Sequence, residues 1–241
     1  MARLVLWDID GTLLRGGGVA RDVFDEAVTA VLGRHPGEHR VRMGGKTDPQ
    51  IALEILAHAA LEEAEAAQHL PAVLAALERG LAAAADDMRR HGVVLPGVPE
   101  VLRALDADPA VRSSVLTGNT QANAVVKLAA FELTPWVDVE IGAFGSDHAD
   151  RTALVPIALE RAGRLRGLAL GPDDVWVVGD TPRDLACARA AGVRCALVAT
   201  GHSPLDELRA TDADAVLEDL ADVVLEDLSD VDAVVKLLTA G

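Results

Sequence analysis

Apolar residues along this chain follow two rhythms. After residue 92, short unbroken apolar runs alternate with stretches of helical period; between about residues 15 and 90 only the helical period appears. The runs at 4–8, 113–116, 137–141, 175–179, 194–198 and 215–217 read as strands, since a strand covered on both faces shows a continuous run rather than alternation. Helical patterns occupy 98–105, 120–131, 152–162, 184–191 and 205–209, and Pro96-Gly97, Asp108-Pro109 and Gly171-Pro172 punctuate the series as turns. Alternation of this kind predicts βαβ units: an α/β, Rossmann-like parallel sheet flanked by helices. The earlier block is Ala-rich and all helical, over 19–32, 48–60 and 61–90, with Pro71 expected to start a new helix inside the last stretch. It interrupts the α/β series straight after the first strand.

Composition narrows the function. The chain has 241 residues, half of them apolar, with 2% aromatics and no tyrosine, so Ala, Val and Leu must build the core. A net charge of −16 argues against nucleic-acid binding, which needs a positive face. No uncharged apolar run reaches membrane-spanning length, and the first residues lack the shape of a signal peptide. The two cysteines, Cys187 and Cys195, match neither a metal pattern nor a disulfide framework and read as reduced, packed thiols. The expectation is a cytoplasmic protein, monomer or homodimer.

The candidate chemistry lies where the predicted strands end. Asp8-Ile9-Asp10-Gly11-Thr12 follows the run Leu4-Val5-Leu6-Trp7. Ligands of open α/β sheets bind at the carboxyl ends of strands, and Asp8 and Asp10, two residues apart, point one way. A polar strand-end turn has the same composition. The next such segment is Val115-Leu116-Thr117-Gly118-Asn119, where a hydroxyl and free amides can hold a phosphate oxygen, or Asn119 or Thr120 can cap a helix. In Val178-Gly179-Asp180-Thr181-Pro182-Arg183-Asp184, Asp180 with Asp8 suits a hard cation such as Mg²⁺. Asp184 is either a further ligand or a first-turn acid favoured by the helix dipole.

Taken in order, DIDGT, LTGN and GDTPRD resemble the motifs of the haloacid dehalogenase-like superfamily of phosphohydrolases, over nearly the whole chain. The resemblance implies a small α-helical cap inserted after the first strand, here residues 15–91, on a core of 1–14 and 92–241. Gly16-Gly17-Gly18 and the region of His91-Gly92 would be its hinges. It implies hydrolysis of a small phosphate monoester, phosphoglycolate-like or a sugar phosphate, through an aspartyl-phosphate. Asp8 would be the nucleophile and Asp10 the acid and base. Asp8, Asp180, Asp184 and the main-chain carbonyl of Asp10 would surround Mg²⁺, and Thr117, Gly118 and Asn119 would hold phosphate oxygens. The family's third motif is a lysine ahead of a helix. Here Gly145 to Arg151 contains none, so Arg151 is the candidate in its place, with His148 read as a surface histidine. In the cap, Met43-Gly44-Gly45-Lys46-Thr47-Asp48 forms a glycine-rich turn in which Lys46 meets an anionic substrate group or is simply solvated.

Asp10 speaks against dehalogenation, which needs no acid for an alkoxide leaving group. A phosphomutase shares the site, and a non-catalytic phosphate- or metal-binding protein or phospho-accepting receiver shares the strand-end aspartates. The tandem acidic repeat at 216–231 reads as a final strand and turn, with one copy to spare.

Overall fold

The structure, a computed structural model, describes residues 2–201, 203–211, 222–225 and 231–239. Six parallel strands form one sheet in the order β5-β4-β1-β6-β7-β8. They are β1 (Arg3–Trp7), β4 (Val111–Thr117), β5 (Ala143–Phe144), β6 (Val175–Gly179), β7 (Arg194–Val198) and β8 (Asp222–Leu225). β1, β6 and β7 are almost wholly apolar because both faces are covered. On β1, Val5 and Trp7 face one cluster and Leu4 and Leu6 the other, and β6 and β7 divide the same way. The first face packs on α5 (Val98–Asp106), α6 (Gln121–Ala130) and α10 (Val231–Thr239). The second packs on α7 (Leu154–Arg166), α8 (Pro182–Ala191) and α9 (Leu205–Arg209), and both cysteine thiols are buried in it.

Between β1 and α5 the chain runs through β2 (Leu14–Arg15), four helices and β3 (Val93–Val94). The helices are α1 (Val19–Leu32), α2 (Asp48–His58), α3 (Glu63–Ala83) and α4 (Ala85–His91), and they share a third core around Phe24, Ile55, Leu77 and Met88. β2 and β3 pair antiparallel, so the outgoing and returning chains lie side by side at the base of the insertion. No helix among the described residues is long and apolar enough to cross a membrane.

Two expectations need correction. Pro71 does not begin a helix; it lies inside α3, whose break falls at Ala84. Pro71 and Ala67, whose carbonyl loses its donor, are both exposed, so the missing bond faces solvent. Residues 137–141 do not form a strand. Val139–Ile141 is a 3-10 turn in which the Asp138 side chain accepts the Glu140 amide at 3.2 Å, a local bond that competes with the sheet ladder. The edge strand starts only at Ala143. The expected strand at 215–217 lies outside the described residues; β8 is built from the junction of the two acidic repeats.

Candidate active site

Asp8 leaves β1 directly, and its amide donates to the Val178 carbonyl at 2.8 Å, extending the ladder one residue beyond Trp7. The chain then turns tightly, the amides of Thr12, Leu13 and Leu14 all donating to the Ile9 carbonyl. Gly11 has φ +93, and a Cβ there would stand 2.5 Å from Asp180 Oδ2. Backbone angle and space both demand glycine. The Thr200 hydroxyl donates to the Gly11 carbonyl at 2.7 Å, and Thr12 Oγ1 donates to Asp180 Oδ1 at 3.4 Å.

β6 neighbours β1, so Asp180 arrives beside Asp8. Asp8, Asp180 and Asp184 are all buried, and each offers one carboxylate oxygen within 4.8 Å of the others. Arg151 Nη2 bridges two of them, 3.0 Å from Asp8 Oδ1 and 2.5 Å from Asp184 Oδ1. The other Asp184 oxygen accepts from the Thr181 amide at 3.0 Å and hydroxyl at 2.7 Å. Both Asp184 oxygens are therefore engaged by protein donors. Burial, above all, pushes the Asp8 carboxyl up to about 6, with Asp184 and Asp10 adding to the shift and Arg151 opposing it. Burial disfavours the Arg151 cation too, but Asp184 and Asp8 outweigh it and raise its pKa above the ordinary value. Three buried carboxylates around one guanidinium leave excess negative charge and an all-oxygen donor set, which fits a hard divalent cation.

The Asp10 carboxylate points elsewhere. Lys127 Nζ lies 2.8 Å from Asp10 Oδ1 and 2.6 Å from Oδ2, and Asn119 Nδ2 donates to Oδ2 at 2.8 Å. Desolvation at the base of the cavity pushes Asp10 up, yet Lys127 and Asn119 together hold it below its ordinary range. Asn119 is fully occupied: Nδ2 also donates to Thr117 Oγ1 at 2.8 Å, and Oδ1 accepts from Lys127 at 2.7 Å. The Asn119 side chain thus braces the site, and the Thr117 hydroxyl, which among the described residues only accepts, keeps its own proton to give.

The insertion closes over this constellation. A cavity of about 1840 Å³ is lined by Asp8, Asp10, Thr117, Arg151 and, from the insertion, Lys46. Lys46 is tied to Glu54 Oε2 at 2.6 Å. Thr47 caps α2 in a reciprocal capping box with Gln50 and donates its hydroxyl to the Ala149 carbonyl at 2.9 Å. The Asp48 amide donates to the Gly118 carbonyl at 2.7 Å. Its carboxylate crosses to α6, accepting the Thr120 amide and Asn123 Nδ2, both at 2.8 Å. A methyl group at Gly118 would overlap the Lys46 carbonyl, so this glycine makes room for the insertion as well as facing the cavity. His148 is exposed and bonded within its own loop, to Asp150.

All nine residues singled out in the sequence meet at the strand ends or the cavity wall. Sequence reasoning missed Lys127 and the cross-link made by Asp48. The signal for Lys127 was present: a lysine on the buried stripe of α6, between Ala124 and Leu128 and one turn after Asn123. A lysine is rarely fully buried without a partner.

The comparisons with known proteins agree with this architecture. The chain is 27% identical over 231 residues to Protein CbbY of Rhodobacter capsulatus, covering 87% of this chain and 91% of that one. It is 29% identical over 221 residues to a phosphoglycolate phosphatase of Rhodospirillum rubrum, covering 91% and 88%. The crystal structure of CbbY from Rhodobacter sphaeroides in complex with phosphate superposes with a TM-score of 0.62 at 19% identity, covering 95% and 96%, a likeness of fold. The family model for haloacid dehalogenase-like hydrolases matches residues 5–189, which takes in all three strand-end motifs, and this enzyme belongs to that family.

Proposed function

We propose that this hydrolase is a phosphatase that cleaves a small phosphate monoester, with Mg²⁺ as its ion and an aspartyl-phosphate as its intermediate. One observation carries the reading. Asp8 is buried among Asp180, Asp184 and Arg151, while Asp10, two residues on, is held apart from that group beside the cavity. A nucleophile and an acid–base group are thereby held apart within one site, as covalent phosphoryl transfer needs.

Asp8 attacks phosphorus, and the alcohol leaves with a proton from Asp10. A water then attacks phosphorus, giving its proton to Asp10, and the bond to Asp8 breaks with its electron pair returning to the carboxylate. Arg151 and the Thr117 hydroxyl offset charge on the phosphoryl oxygens. Asp8, Asp180 and the main-chain carbonyl of Asp10 would hold Mg²⁺, with Asp184 orienting Arg151; the ion, when bound, neutralises charge between carboxylate and phosphate dianion. Residues 15–91 act as the cap that excludes water from the core formed by 1–14 and 92–241. The relatives named as phosphoglycolate phosphatases favour a two-carbon acid phosphate or a sugar phosphate.

The test is phosphate release, with and without Mg²⁺, across 2-phosphoglycolate, sugar phosphates and nucleotides. Mg²⁺-dependent turnover of one class supports the reading and names the substrate. No turnover of any by the folded protein with Mg²⁺ present refutes it, and isomerised sugar phosphate in place of free phosphate would identify a mutase.

A further inference from the structure

Lys127 has no place in the chemistry outlined above, yet the site absorbs it completely. It sits in the last turn of α6 with a side chain only 5% exposed. An ammonium has three donors and no acceptor. Here its three short contacts go to Asp10 Oδ1, Asp10 Oδ2 and Asn119 Oδ1, at 2.8, 2.6 and 2.7 Å. Burying a lysine costs several kcal/mol of desolvation, and an apolar residue at this place on the stripe would serve the fold better. All its carboxylate hydrogen bonds go to Asp10, and its charge also offsets that of buried Asp48.

The pattern at Asp10 is specific. Among the described residues, each hydrogen-bond partner of its carboxylate is a donor: Lys127 on both oxygens and Asn119 on Oδ2. Without Lys127 the side chain, 43% exposed to the cavity, would be held through one oxygen only.

We propose that Lys127 is a positioning residue, holding Asp10 by both oxygens in the orientation from which it takes a proton from the water that hydrolyses the phosphoaspartate. This rests on the phosphatase reading and assigns Lys127 to its second half-reaction. In that step the water oxygen bonds to phosphorus, one water proton passes to Asp10, and the phosphorus–oxygen bond to Asp8 breaks towards Asp8.

The test uses p-nitrophenyl phosphate with Mg²⁺ in a stopped-flow instrument, because p-nitrophenolate departs without needing a proton and reports the first half-reaction alone. Lys127→Met is expected to release about one nitrophenolate per site in a burst. Its steady rate should then fall by roughly 100-fold, the lower end of what acid–base catalysis contributes. kcat/KM, set by the first half-reaction, should stay within about fivefold of wild type, and the intact mass should show a phosphorylated enzyme. Lys127→Arg keeps the charge and is expected to recover most of the steady rate; it also serves if the methionine variant loses its cooperative melt. Equal falls in kcat and kcat/KM without a burst, or unchanged kinetics, would overturn the proposal. A wild type that turns over no phosphate ester would refute the phosphatase reading itself, and the proposal with it.

Discussion

Replacing Asp8 by Asn should make the metal-free protein more stable, although it removes the nucleophile. The Asp8 carboxyl moves from its ordinary 3.8 to about 6 on folding, chiefly because it is buried. Each tenfold change in proton affinity is ~1.4 kcal/mol, so holding the ionised group costs on the order of 3 kcal/mol. The folded chain binds this proton more tightly than the unfolded chain. The penalty is therefore absent below pH 3.8, grows as pH rises through 3.8 to 6, and is complete above that. Asn carries no charge at any of these pH values, and Arg151 keeps Asp184 as its partner. In thermal melts with a chelator, Asp8→Asn should raise Tm at pH 7.5 by on the order of 6–12 °C for a chain of this size, and by little at pH 4. Mg²⁺ should narrow the gap at pH 7.5 by stabilising the wild type alone. A Tm gain equal at both pH values, or a loss at pH 7.5, would refute the reasoning, because the effect would then not be the charge of a buried carboxylate.

Substitutions at two further positions probe the wall and the lid. Arg151→Lys should retain partial activity, while Arg151→Met should lose about 10²–10³ in kcat, since only the guanidinium reaches both Asp8 and Asp184; steady-state kinetics on the best substrate will rank them, and equal activity of all three would dismiss the residue. Asp48→Ala strands the buried Thr120 amide and Asn123 side chain, which should cost about 2–4 kcal/mol, read as a lower urea midpoint at unchanged m, whereas an unchanged midpoint would show that this cross-link contributes nothing to the fold.

Much of the site was legible because strand ends write themselves locally. An apolar run that stops at Asp, as before Asp8 and Asp180, carries both the strand and the position of its terminal carboxylate. The Arg151 candidate came from its place ahead of a helix, and in the structure its guanidinium lies 3.0 Å from Asp8 Oδ1. The miss at 137–141 came from Asp138, whose side-chain bond to the backbone overrides a β-prone sequence. The miss at Pro71 came from reading a proline without knowing which face of α3 meets water.

The sequence alone determined the layered α/β core, the helical insertion after the first strand, and the carboxylates gathered at the strand tips, because periodicity and strand ends are short-range properties. Tertiary structure alone decided which charges pair. Lys127 is 117 residues from Asp10, and Asp48 is 72 from Thr120. No local pattern encodes such a pairing, since it depends on strand order bringing α6 alongside β1 and on the insertion folding back over the sheet. The energy of a buried charge is set by the partner it meets there.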